Sequence, residues 1–137
     1  MPDTSALHSA SDALAAGRQV QTGRIRTISE NIANADSAPT EPGGTPYARK
    51  IAVFAPVVAD SPRSPVGHIV RDSSDFRRRY DPSNAVADKD GYVRMPDMDL
   101  SEQMSAMILA QRGYQANAAV VDRAKTSYEA ALQIGRG

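Results

Sequence analysis

Proline is confined almost entirely to the middle of this 137-residue chain: eight of the nine lie between Pro39 and Pro96, and the ninth is Pro2. Proline removes a backbone donor and its ring clashes with the preceding helical turn, so no long helix can cross residues 39–96. Residues 3–35 and 97–137 contain none and are free to form helices. The chain is thereby divided into two terminal helical segments and a central segment of turns and short strands.

The C-terminal segment carries the clearest pattern. Leu100, Met104, Met107, Gln111, Tyr114, Ala118, Val121, Lys125, Tyr128 and Leu132 follow one another at 4-3-4-3 spacing, and eight of these ten positions are apolar. That spacing predicts a long helix with a coiled-coil seam. Asp99 with Glu102 three residues later predicts a capping box at its start, and Gly135 predicts its end. At ~1.5 Å per residue such a helix is about 50 Å long, more than the width of a globule of this size, so it must project or pair with something long. Gln111 and Lys125 interrupt the seam. Polar groups there either set register and partner choice or face water; both readings stand for Gln111, and the second is favoured for Lys125.

The N-terminal segment supplies a matching stripe in Leu7, Ala10, Leu14, Ile25, Ile28, Ile32 and Ala35, diluted by Gln21 and Arg24. Gly17 and Gly23 weaken it further, each by ~1 kcal/mol against alanine. Alone this helix is marginal, and packing against the C-terminal helix is its simplest support. The central segment reads as β-rich: Tyr47–Ala55, Val66–Val70 and Phe76–Tyr80 are candidate strands, with Gly43-Gly44, Asp81-Pro82 and Asp90-Gly91 as turns. The expected fold is therefore mainly α with a small β-rich insert. Residues 3–35 and 97–137 form one discontinuous helical domain, paired as an antiparallel coiled coil, around a Pro/Gly-rich β and loop insert at 36–96.

Composition limits what such a chain can do alone. Leu, Ile, Val and Phe number 24, there is no Trp, and 22 of the hydrophobic residues are alanine, a thin supply for a self-sufficient core. Burial is expected to be completed against partners. Sixteen basic residues balance 16 acidic ones. The balance holds locally too, at three against three in 1–35, nine against nine in 36–98 and four against four in 99–137, which argues against nucleic acid as a partner. With no cysteine there is no disulfide framework, zinc knuckle or thiol nucleophile. The longest apolar run, Ile51–Ala59, contains Pro56 and is far below the ~20 residues that cross a bilayer, so no direct membrane insertion is expected. No basic region followed by an apolar stretch opens the chain, so no cleaved signal peptide is expected either.

The candidate chemical sites give way to plainer readings. Asp88-Lys89-Asp90-Gly91 matches the middle of a calcium loop, but that alignment puts Val86 at the first ligand position and the short Asp97 at the twelfth; an Asp-Gly turn suffices. Arg77-Arg78-Arg79 is flanked by Asp72, Asp75 and Asp81, which suits a solvated or interface-pairing strand better than a phosphate grip. His8 and His68 lack a nucleophile elbow, phosphate loop or metal-spaced partner. No catalytic residue, cofactor or metal site is expected. Asn31, Asn34 and Asn117 are different: asparagine is a mediocre helix former that carries both donor and acceptor, so these three are expected to bridge helices or cap a helix end.

The helices also carry recognisable motifs. Gln21-Thr22-Gly23-Arg24-Ile25-Arg26-Thr27-Ile28-Ser29-Glu30-Asn31-Ile32-Ala33-Asn34-Ala35 resembles the N-terminal signature of bacterial flagellar axial proteins, with its Asn-Ile-Ala-Asn core. Arg112-Gly113-Tyr114-Gln115-Ala116-Asn117 resembles their C-terminal Arg-Ala-Tyr-Glu-Ala-Asn motif, with Gly113 and Gln115 as departures, and Leu132-Gln133-Ile134-Gly135-Arg136 is similar to their ending. Pro42–Lys50, Tyr80–Asn84 and Asp88–Asp97 are similar to segments of the proximal-rod members. The resemblance covers about residues 21–136 in order.

It implies a non-enzymatic structural subunit of the basal-body proximal rod, self-assembling with other rod proteins into a helical drive shaft that transmits torque. It further implies passage through the flagellar type III export apparatus and a final place in the rod across the periplasm. The residues expected to carry helix packing and assembly are Ile25, Ile28, Asn31, Ile32, Asn34, Leu100, Met104, Met107, Gln111, Arg112, Tyr114, Asn117, Val121, Tyr128 and Leu132. The alternative reading is a cytoplasmic helical adaptor that binds one partner through its coiled coil.

Overall fold

The computed structural model describes residues 4–54, 67–72 and 76–137. Two long helices enclose the β region in sequence: α1 is Thr4–Ala33 and α2 is Leu100–Arg136, with β1 at Arg49–Phe54, β2 at Gly67–Asp72, β3 at Phe76–Tyr80 and β4 at Tyr92–Pro96 between them. The mainly α architecture with a small β insert is as expected. Ala55, Val66 and Asp75, which figured in the strand and charge readings, lie outside the described residues, as does the Leu7 side chain.

α1 ends by a local hydrogen-bond exchange. The Asn34 side-chain amide donates to the Glu30 carbonyl at 2.8 Å, and the Ser37 hydroxyl donates to Asn34 Oδ1 at 3.1 Å. The same carbonyl also accepts from the Asn34 backbone N–H at 3.1 Å, so Asn34 closes the helix end with both of its amides. α2 begins on Asp99, whose carboxylate accepts from the Ser101 N–H at 2.8 Å. The cap is the expected one, but the box is not closed: the Glu102 carboxylate lies 3.8 Å from the Arg49 guanidinium. The helix also runs through Gly135 to Arg136, with Gly137 as its C-cap, so Gly135 is not the stop signal it was read as. Nothing lies within 4 Å of a Cβ built there, and a glycine free of neighbours can remain helical.

The β region is two antiparallel hairpins rather than one sheet. In β1–β2, Arg49 faces Asp72 and Phe54 faces Gly67; in β3–β4, Phe76 faces Pro96 and Tyr80 faces Tyr92. β4 was not anticipated. It nevertheless holds the most deeply buried apolar residues, Val93 at 0% and Met95 at 1% exposure, joined by Pro96 and, from the turn after α1, Ala35.

The approach to β4 is a tight Asp-Gly turn. Asp88 Oδ1 accepts from the N–H groups of Asp90 (3.0 Å) and Tyr92 (2.8 Å), and Gly91 takes φ +81°. A Cβ on Gly91 would sit 3.1 Å from both Pro82 Cβ and Tyr80 Cε2. Left-handed backbone costs a non-glycine residue ~1–2 kcal/mol before any crowding. Gly91→Ala should therefore destabilise the protein by roughly 2 kcal/mol in urea unfolding; an unchanged midpoint would show that the turn relaxes freely.

Candidate functional site

The buried edge of α1 is Thr27 and Asn31, continued by Ala35 in the turn that follows, with Ile28 and Ile32 half-buried beside it. Asn31 is 2% exposed, a placement that a primary amide tolerates only if its polar atoms are paired. All of its capacity is used. Nδ2 donates to the Lys50 carbonyl at 2.9 Å and to Gln103 Oε1 at 3.0 Å. Oδ1 accepts from the Tyr47 hydroxyl and the Lys50 N–H, both at 2.9 Å. One side chain thus ties α1 to the strand β1, to the loop before it and to α2.

Charge surrounds this junction. The Lys50 ammonium reaches the Glu30 carboxylate at 2.6 Å, and Arg26, one turn earlier, lies 3.5 Å from the same group. Arg49 bonds Asp72 at 2.8 Å across β1–β2 and approaches Glu102 on α2. The hydrogen bond from Lys50 holds the Glu30 carboxyl below the ordinary carboxylate range. Backbone hydrogen bonding from Tyr92, reinforced by Asp90 and Arg78, does the same for Asp88. Burial pushes the Tyr47 phenol up, which keeps it protonated and able to donate to Asn31.

Both carboxyls bind protons more weakly in the folded protein than in the unfolded chain. Their stabilisation is complete above the ordinary carboxylate range and is lost as pH falls through it, from about pH 5 downward. Lys50→Met removes the main cause at Glu30. The midpoint of urea unfolding should fall more steeply between pH 5 and 3 in the parent than in Lys50→Met, and parallel curves would exclude Glu30 as a contributor.

Along the two helices the contacts run in opposite senses. Gly17 of α1 lies against Asn117 of α2, Gln21 against Gly113, and Asn31 against Gln103. A Cβ on Gly17 would stand 2.5 Å from Asn117 Nδ2, and one on Gly113 would stand 2.9 Å from Gln21 Cδ. Gly17 therefore does more than weaken a helix: with Gly113 it lets two amide side chains lie against the facing backbone. Gly23 likewise seats the Phe54 ring, with a built Cβ 3.0 Å from Cζ.

The face of α2 turned toward α1 is the small and polar series Gln103, Ala106, Ala110, Gly113 and Asn117, of which Gln103 and Ala110 are buried. The heptad seam lies beside it and mostly outward. Leu100, Met104, Tyr114, Val121, Tyr128 and Leu132 are all exposed, Met104 by 55% and Tyr128 by 51%. Gln111 and Arg112 are exposed as well, and Met107 is half-buried. On the other side of the pair, Ile25, Ile28, Ile32 and Asn34 are half-buried. Sequence reasoning missed Gln103, Tyr47 and Lys50. Gln103 had one available signal, the run of small residues at 3-4-3-4 spacing that it heads.

An open cleft of about 350 Å³ lies between the hairpins and the start of α2, lined by Tyr47, Arg49, Asp72, Phe76, Asp97, Asp99 and Glu102. Neither His8 nor His68 lines it; both are exposed, on α1 and β2. Among the described residues no group of three or more His, Asp or Glu is placed to hold a metal ion, and no helix is long and apolar enough to cross a membrane.

Residues 89–134 match the family described as the C-terminal region of flagellar basal body rod FlgEFG proteins. The chain is also 40% identical over 118 residues to the flagellar basal-body rod protein FlgC of Agrobacterium fabrum, covering 84% of this chain and 85% of that one. The chain belongs to the FlgC family of flagellar basal-body rod proteins. FlgC of Borreliella burgdorferi is 35% identical over an alignment of 151 positions that spans 96% of this chain and 99% of the relative. FlgC of Salmonella typhimurium is 35% identical over 119 residues, 85% of this chain and 88% of its own. The FlgC family is one of structural rod proteins, and this chain is not an enzyme.

Proposed function

We propose that the chain is a subunit of the proximal rod that assembles with copies of itself and with other rod proteins into the helical shaft that transmits torque. The observation that carries this reading is the position of the heptad seam. Leu100, Met104, Tyr114, Val121, Tyr128 and Leu132 form an apolar line along α2 that the chain's own α1 leaves exposed. Such a line is costly in water, and a contact that repeats from subunit to subunit would bury it at every repeat. Over the inner face, α1 and α2 act as an antiparallel coiled coil, so that residues 3–35 and 97–137 serve as the helical unit and 36–96 as an insert carried on its side. Ile25, Ile28, Ile32, Asn31, Asn34 and Asn117 hold that unit together; the seam, with Gln111 and Arg112 beside it, meets neighbours. Delivery through the type III export apparatus and residence in the rod across the periplasm complete the reading.

The test is deletion of the gene, followed by imaging of purified basal bodies. Rods should be missing, motility lost, and both restored by the intact gene. Complete rods in the deletion strain would refute the proposal.

A further inference from the structure

The β3–β4 hairpin places two guanidinium groups directly opposite one another. Arg78 faces Arg94 in the strand register, so both side chains leave the same face, with Cβ atoms about 5 Å apart. Like charges at such a pair are destabilising. Each nonetheless lies over an aromatic ring: the Arg78 guanidinium carbon is 4.5 Å from the Tyr92 ring centroid and that of Arg94 is 5.2 Å from the Phe76 centroid. Tyr80, packed edge-on to Tyr92 at 5.2 Å and 65% exposed, completes a face of alternating rings and guanidiniums. Contact of a guanidinium with a ring restricts its motion and uses none of its N–H donors on a carboxylate.

The two charges are unequally served. Arg78 has Asp88 at 3.2 Å, but that carboxylate also accepts from two backbone N–H groups and is committed to the turn. Arg94 is half-buried and has no carboxylate within ion-pair distance among the described residues. A preorganised pair of forks with one unmatched charge fits a carboxylate, which can take both N–H donors of a fork at once.

We infer that Arg78 and Arg94 form a docking site for a carboxylate side chain of a neighbouring protein subunit. The inference rests on the proposed role as an assembling rod subunit and names the chemistry of one of its contacts. A protein carboxylate suits the face better than a nucleic-acid backbone, because the chain as a whole carries no net positive charge to hold a polyanion.

The site can be tested on the purified full-length chain with an N-acetylated hexaglutamate peptide, following the arginine Nε–H signals by NMR. The Arg78 and Arg94 signals should shift saturably, and Arg94→Gln should weaken binding roughly tenfold, as expected for loss of a charge-assisted bond. Thermal unfolding of Arg94→Gln should stay close to the parent's, since relief of the opposed charges offsets the lost Phe76 contact. In cells, Arg94→Glu should reduce the number of complete rods. Equal peptide affinity in Arg94→Gln, or preferential binding of polygalacturonate over the peptide, would each overturn the inference. The two readings fail separately: complete rods in the deletion strain refute the rod role, whereas a rodless deletion strain fully restored by Arg94→Glu refutes only the docking site.

Discussion

Asn31→Ala should lower the free energy of unfolding by roughly 3–5 kcal/mol, because it strands several partners at once. The Lys50 N–H and the Tyr47 hydroxyl donate to this one amide, and the Lys50 carbonyl and Gln103 Oε1 accept from it. Each buried group left unpaired costs about 1–3 kcal/mol, and water entering the cavity recovers part of that. The total is comparable with the ~5–15 kcal/mol that keeps a domain folded. Asn31→Asp separates the two halves of the effect: it retains the acceptor for Tyr47 and Lys50 but loses both donated bonds and brings a second negative charge beside Glu30. Urea unfolding should rank the parent above both variants. A loss under 1 kcal/mol for Asn31→Ala would show that the junction is held by something else.

The second large effect concerns assembly and leaves folding almost untouched. Tyr128 is 51% exposed near the far end of α2. Tyr128→Glu should change the stability of the isolated chain by no more than about 0.5 kcal/mol, the usual range for exposed sites. If the seam is buried between subunits, the same substitution places a carboxylate in an apolar contact at every repeat, at a cost of several kcal/mol each. Basal bodies from cells carrying Tyr128→Glu should lack complete rods. Normal rods in that strain would remove the seam from the interface.

The sequence made both helices legible, because proline-free segments with strong periodicity leave little else to form, and Asp99 marked the start of α2. Periodicity reports that an apolar stripe exists and says nothing of what it faces. The spacing of the α2 seam leaves open whether it meets α1 or a neighbouring subunit; in the structure α1 meets the adjacent small and polar series, whose members Gln103, Gly113 and Asn117 give no apolar signal. β4 escaped notice for a related reason. Its two core residues, Val93 and Met95, alternate with Arg94 inside five residues bounded by Gly91 and Pro96, too short a run for alternation to stand out. Asn31 was identifiable as a polar residue with a structural task, but its partners were not. Tyr47 and Lys50 come from a strand whose position beside α1 is a tertiary fact, and Gln103 is distant in sequence.

That distance has a kinetic side. Asn31 and Gln103 are 72 residues apart, and the hydrogen bond between their side chains forms only when the whole central segment has been laid down between them. Closing so long a loop carries an entropic toll that nearby contacts such as Glu30–Lys50 escape, so the local pairing can arrive early while the last donor of Asn31 waits. A chain emerging from its amino end therefore cannot complete the Asn31 junction until the start of α2 appears. Until then the partners of Asn31 are Tyr47 and Lys50, and the arrival of Gln103 acts as the latch.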